Sequence, residues 1–165
     1  MRIEGPALKV DGANIDTDVL YPGSFLNIDD PAQMKAHLFE GLDAGLRDEL
    51  EPGTILVVGE NFGCGSSREH VPLAMKAWGI GAVLGQSFAR IFYRNCINLA
   101  LPIVVCPDGA AAAHSGSRVA IDTDGAVTVD DRAFKVPPTP DFMQEMISSG
   151  GLIPWARRRL AAADM

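Results

Sequence analysis

Three short apolar runs constrain this chain more than any other feature. They are Thr54-Ile55-Leu56-Val57-Val58, Ile80-Gly81-Ala82-Val83-Leu84 and Leu101-Pro102-Ile103-Val104-Val105. Each is too short for a helix, and each lies between segments of helical character. Such runs read as strands buried on both faces, the habit of a parallel sheet. One intervening helix ends near Trp78-Gly79 and another begins at Ser87. The result is strand–helix–strand–helix–strand from Thr54 to Cys106, a pair of right-handed crossovers.

The flanks carry different patterns. Upstream, Asp30-Pro31 opens a helix, with Asp as cap and Pro at the first position, and Met34, Leu38 and Leu42 recur on one face. Downstream, Arg118–Asp122 and Ala126–Asp130 alternate with period two around Asp124-Gly125, a hairpin. Thr139-Pro140 caps a helix carrying Phe142, Met146 and Ile147, which Gly150-Gly151 stops. A last segment, Pro154 to Ala163, bears Arg157, Arg158 and Arg159, read as a solvated face. With no linker or repeat between these parts, residues 1–165 form a single domain.

Composition removes several function classes. A net charge of −7 disfavours nucleic-acid binding, which needs a basic footprint. Three cysteines, Cys64, Cys96 and Cys106, form neither a disulfide framework nor a C-x-x-C pattern. The expected compartment is the reducing cytoplasm, and this chain alone should bind no cluster or metal. No apolar run approaches the roughly 20 residues of a membrane span.

The loop after the first buried strand is the strongest local signal. It reads Gly59-Glu60-Asn61-Phe62-Gly63-Cys64-Gly65-Ser66-Ser67-Arg68-Glu69-His70. In open α/β sheets, ligands sit at the carboxyl ends of strands. Glycines let backbone amides approach an anion, and a helix N-terminus adds positive potential. Ser66 and Glu69 have capping-box spacing, but Pro72 would then fall inside the helix. A distinct first turn over Ser66–His70, with regular helix from near Val71, resolves the conflict and leaves amides free for a ligand. The loop fits neither the phosphate-loop nor the dinucleotide pattern. The plainer reading is that Ser66, Ser67 and Glu69 only cap while Arg68 pairs on the surface.

The block GENFGCGSSREHVPLAMKAWGIGAVLGQSFARIFYRNCINLALP, Gly59 to Pro102, closely resembles the swivel domain of the aconitase superfamily. It looks most like the separate small subunits of 3-isopropylmalate dehydratases. Asn14-Ile15-Asp16-Thr17-Asp18-Val19-Leu20-Tyr21-Pro22 is a second match, and the chain length is a third. The resemblance is strong over Asp11 to Pro107 and weak in the C-terminal third. It implies a three-layer β/β/α swivel domain with a mainly parallel central sheet. It also implies a hydro-lyase of leucine biosynthesis that interconverts 2-isopropylmalate and 3-isopropylmalate. The implied cofactor is a [4Fe–4S] cluster held by cysteines of an aconitase-like large subunit, with which this chain acts.

Dehydrating a malate requires removing a poorly acidic proton beside a carboxylate and expelling hydroxide. Serine serves as the base only where backbone amides and a cation stabilise its alkoxide. By resemblance, Ser66 matches the catalytic serine, Ser67 a substrate-carboxylate or oxyanion contact, and Arg68 a carboxylate-binding arginine. Thr17 and Asp18 read on spacing as a strand-end turn. The resemblance places them instead near the active centre, orienting catalytic groups. His70 reads as structural, and the aromatics of Ser87–Asn95 as core. Arg90 and Arg94 could support the site or pair with acids.

The resemblance assigns substrate choice to Gly23–Ile28. Ser24, Phe25, Leu26, Asn27 and Ile28 are then substrate-binding, and their lack of arginine favours an alkyl-malate over citrate or homocitrate. The loop does not separate isopropyl from methyl or dimethyl groups. Two alternatives stand beside the leading one. One is a small subunit for 2,3-dimethylmalate or a citramalate-type substrate, and the other is a non-catalytic anion-binding module.

Overall fold

The computed structural model describes all residues 1–165. The strands are β1 (Arg2–Val10), β2 (Ile55–Val58), β3 (Ala82–Gly85), β4 (Ile103–Val105), β5 (Arg118–Asp122), β6 (Ala126–Val129) and β7 (Arg132–Lys135). Their order is β4-β3-β2-β1-β5-β6-β7. β1 to β4 pair in parallel, and β1, β5, β6 and β7 pair antiparallel. The helices are α1 (Thr17–Leu20), α2 (Pro31–Met34), α3 (His70–Ala77), α4 (Arg90–Asn98), α5 (Pro107–Ala112), α6 (Asp141–Ser149) and α7 (Leu152–Ala163).

The two faces of the parallel strands explain the three apolar runs. Side chains alternate across a strand. Leu56, Val58, Val83 and Ile103 point into one core with Val71, Met75, Phe92 and Cys96 of α3 and α4. Ile55, Val57, Ala82 and Leu84 point into a second core with Val119, Ile121, Val127 and Val129 of β5 and β6. The layers are therefore helix, parallel sheet and antiparallel sheet, the β/β/α arrangement.

Several local expectations need correction. The N-terminal segment is a central strand that composition hides. β1 divides its partners: Arg2–Pro6 pair with β5, and Ala7–Val10 pair with β2. Gly5 sits at the changeover, where an added Cβ would lie 2.0 Å from the Gly53 carbonyl oxygen. The helix expected to carry Met34, Leu38 and Leu42 ends early. α2 is followed by a 3-10 turn over Lys35–His37, and Phe39 adopts φ 64°. The break lets adjacent Leu38 and Phe39 both be buried, while the Phe39 amide donates to the Leu20 carbonyl at 2.8 Å. Leu42 is left exposed.

The second crossover helix starts at Arg90 rather than Ser87. Ser87 Oγ accepts from the Asn61 amide at 2.8 Å, and Phe62 and Phe88 form a parallel bridge. Ser87 thus ties two loops at the carboxyl end of the sheet instead of capping its own helix. The helix after Thr139-Pro140 begins at Asp141 without a side-chain cap. β7 adds a third antiparallel strand beside β6, while the β5–β6 hairpin and the end of α6 at Gly150 are as expected.

Candidate active site

The loop from Gly59 to Glu69 leaves the carboxyl end of β2 and enters α3 through a non-helical turn. α3 begins at His70, with Glu69 as its cap residue and no side-chain capping bond. The capping box between Ser66 and Glu69 does not form. Pro72 falls in the first helical turn, where its missing N–H costs nothing. The amides of Ser66, Ser67, Arg68 and Glu69 donate to no acceptor in the chain. Four consecutive free donors beside a helix start are an anion-receiving arrangement.

A packing constraint fixes this turn. Gly63 has φ +81°, and a Cβ there would lie 2.2 Å from Phe92 Cγ. Its amide donates to the Ile15 carbonyl at 2.8 Å, and the Thr17 amide donates to the Cys64 carbonyl at 2.9 Å. The Asp16–Cys64 bridge and these bonds lay the Asn14–Pro22 segment against the loop.

Several of the expected site residues meet there. Thr17, 2% exposed, donates from Oγ1 to the Ser66 carbonyl at 2.8 Å. Arg68 Nη2 lies 2.6 Å from Asp18 Oδ1, and Arg68 Nη1 donates to the Tyr21 carbonyl at 2.7 Å. Ser66 and Ser67 are exposed at the turn. With Arg68, Glu69, His70 and Leu26 they line an open cleft of about 540 Å³.

The Gly23–Ile28 loop is not uniform. Phe25 and Ile28 pack against the helix-side core, whereas Leu26 is exposed and faces the cleft. Ser24 and Asn27 are exposed but do not line the cleft. Arg90 and Arg94 are exposed and form no ion pair.

Three contacts lay beyond the reach of the sequence. Asn95, 9% exposed, donates from Nδ2 to Ser67 Oγ at 3.3 Å. Tyr21, fully buried, donates its hydroxyl to the Phe25 carbonyl at 2.8 Å. His37 stacks on Phe25 with ring centroids 3.7 Å apart. Asn95 stands in the matched SFARIFYRN segment and Tyr21 in the Asn14–Pro22 match, yet nothing in their spacing marks a contact.

The cysteines do not suit a cluster. Cys96 lies in the helix-side core, Cys106 lies between the two sheets, and Cys64 is half-buried in the loop. No group of three His, Cys, Asp or Glu residues is placed to hold a metal ion. No helix is long and apolar enough to cross a membrane.

Residues 43–107 match the family model of the aconitase C-terminal domain. The 3-isopropylmalate dehydratase small subunit of Thermodesulfovibrio yellowstonii is 42% identical over 100% of this chain and 99% of its own length. The 2,3-dimethylmalate dehydratase small subunit of Eubacterium barkeri is 44% identical over 93% of this chain and 95% of its own. The crystal structure of 3-isopropylmalate dehydratase from Methanocaldococcus jannaschii superposes with a TM-score of 0.91 at 35% identity, covering 99% of this chain and 98% of that one. The chain therefore belongs to the dehydratase small-subunit family of the aconitase superfamily.

Proposed function

We propose that this chain is the small subunit of a hydro-lyase that interconverts 2-isopropylmalate and 3-isopropylmalate by dehydration and rehydration, the isomerisation of leucine biosynthesis. It acts with an aconitase-like large subunit, in the cytoplasm. The relatives named above support the reaction class. The observation that carries the role of this chain is the Ser66–Glu69 turn, with four undonated amides and the Arg68 guanidinium beside one cleft.

In this reading Arg68 binds a substrate carboxylate, held in line by the Tyr21 carbonyl. Ser66 takes the proton from the carbon beside that carboxylate. The C–H electron pair becomes the new double bond and the hydroxyl departs from the neighbouring carbon. Water then adds back with the opposite placement, and Ser66 returns the proton. Free amides and Arg68 stabilise the serine oxygen while it is deprotonated. Ser67, oriented by Asn95, receives a carboxylate oxygen, Thr17 orients the turn, and Asp18 orients the Arg68 guanidinium until the substrate carboxylate takes its place. The cluster belongs to the large subunit and supplies Lewis acidity toward the hydroxyl.

Leu26, facing the cleft, suits an alkyl substituent. The Eubacterium barkeri relative is consistent with a second reading, in which the substrate is 2,3-dimethylmalate, with one methyl group on each central carbon. Reconstitution with a cluster-bearing large subunit and a panel of alkyl-malates separates the two. In the same complex Ser66→Ala should lower kcat by at least about 100-fold, the scale of general-base catalysis. Near-normal turnover would remove Ser66 as the base.

A further inference from the structure

Tyr21 grips three parts of the site at once. Its carbonyl accepts from Arg68 Nη1 at 2.7 Å. Its hydroxyl donates to the Phe25 carbonyl at 2.8 Å. Its ring stacks on His70, with centroids 5.1 Å apart and planes inclined by 26°. His70 Nε2 in turn lies 3.1 Å from the Leu26 carbonyl. A carbonyl only accepts, so this contact selects the tautomer that carries hydrogen on Nε2.

Two stacked rings therefore hold two successive carbonyls of one loop. Phe25 is pinned a second time by its stack on His37, whose Nδ1 lies 2.7 Å from Glu40 Oε2. With both carbonyls held and the Phe25 ring packed inward, Leu26 is the apolar side chain of the loop that is turned to the cleft. The arginine that receives the carboxylate and the residue that meets the substituent are thus tied to the same tyrosine.

We infer that His70 and Tyr21 are positioning residues for substrate selection, fixing Leu26 relative to Arg68 so that the substituent is measured from the carboxylate. This rests on the proposed reading that Leu26 meets the alkyl group.

The test uses the reconstituted complex with 2-isopropylmalate and a methyl-substituted malate. His70→Ala should raise KM for 2-isopropylmalate by about fivefold or more, with a smaller change in kcat. It should also shrink the isopropyl-over-methyl preference several-fold, within the roughly 10–200-fold that a methylene commands in an apolar pocket. His70→Gln, which keeps a donor of similar reach, should restore most of that preference. Tyr21→Phe should shift selectivity in the same direction, and the double variant His70→Ala/Tyr21→Phe should fall short of the summed single effects.

Hydrogen exchange on the small subunit gives an activity-independent readout. The Leu26 and Ile28 amides, bonded to the Gly23 and Phe25 carbonyls, should exchange faster in His70→Ala and Tyr21→Phe but not in His70→Gln. Unchanged exchange, or an equal kcat loss on both substrates with no change in their ratio, would overturn the inference. Failure of the Ser66 reading shows separately, as full turnover by Ser66→Ala in a complex whose selectivity still responds to His70.

Discussion

Arg68 and Asp18 meet at 2.6 Å, and the pair is unequally buried: the arginine side chain is 13% exposed and the aspartate 62%. The exposed partner is the one that solvent or a ligand can displace. Arg68 keeps its second anchor, the Tyr21 carbonyl, whichever carboxylate its other nitrogen holds. In the proposed function, a substrate carboxylate takes the Asp18 position without reorienting the guanidinium. A lysine is a point charge and cannot serve both partners from one plane. Arg68→Lys should lower kcat/KM about 100-fold, mostly through KM, equivalent to roughly 2.7 kcal/mol. Steady-state kinetics on the reconstituted complex measure this, and a loss below about fivefold would contradict it.

Thr17 reaches the Ser66–Glu69 turn through one bond, from Oγ1 to the Ser66 carbonyl. Thr17→Val keeps the shape and removes the donor. The unmatched carbonyl should cost about 1–2 kcal/mol in denaturant unfolding. If the bond also aligns Ser66, kcat should fall about tenfold. Thr17→Ser, which retains the hydroxyl, should show no comparable kinetic loss.

Gly63 occupies a place where only hydrogen fits. An alanine Cβ would collide with the Phe92 ring, and φ +81° strains any L side chain. Overpacking and the left-handed backbone together should cost about 3 kcal/mol. Gly63→Ala/Phe92→Ala removes the ring contacts at Cγ and Cδ2, and leaves the approach to the Phe92 Cβ and the backbone strain. The double variant should therefore unfold at higher denaturant than the sum of its single variants allows.

Alkaline pH should destabilise the fold. Burial pushes the Cys96 thiol far above its ordinary value of 9.0, and burial also raises Cys106. Tyr21 and Tyr93 are raised by burial as well. The folded chain keeps protons that the unfolded chain releases. The stability these groups supply is thus complete below the ordinary thiol value and declines as pH rises past it. Tm should fall between about pH 8 and pH 10, less steeply in Cys96→Ala; a flat profile would refute the assignment. A thiol reagent should modify Cys64 first in the native protein, because Cys96 is 0% and Cys106 3% exposed.

Local pattern carried much of this architecture. The runs at Ile55–Val58, Ala82–Gly85 and Ile103–Val105 are continuous because both faces of the layer are covered. The β5–β6 hairpin alternates, with its inward residues on the core between the sheets. The conflict between Ser66 and Pro72 correctly marked a separate turn. What stayed hidden was set by distant contacts. Gly5-Pro6 disguises β1 because the strand changes partner there, and α2 is cut short so that Phe39 can meet Leu20. Within the candidate site, the meeting of Ser66, Arg68, Thr17 and Asp18 is readable by motif. The contacts of Tyr21 and Asn95 are not, because a tyrosine and an asparagine in helical or turn segments have many commoner uses.

The divided strand β1 also sets an order of assembly. Chains emerge from the ribosome N-terminus first. β1 is made before both of its neighbours: β2 for Ala7–Val10, and β5, much later, for Arg2–Pro6. The parallel half can close while the antiparallel half still waits with an open edge. Pro6, which has no N–H to offer, lies in that waiting segment and blunts it against a wrong neighbour. β1 is thus completed long after it is made, and the hairpin that completes it seals the far side of the sheet from which the Ser66 turn projects.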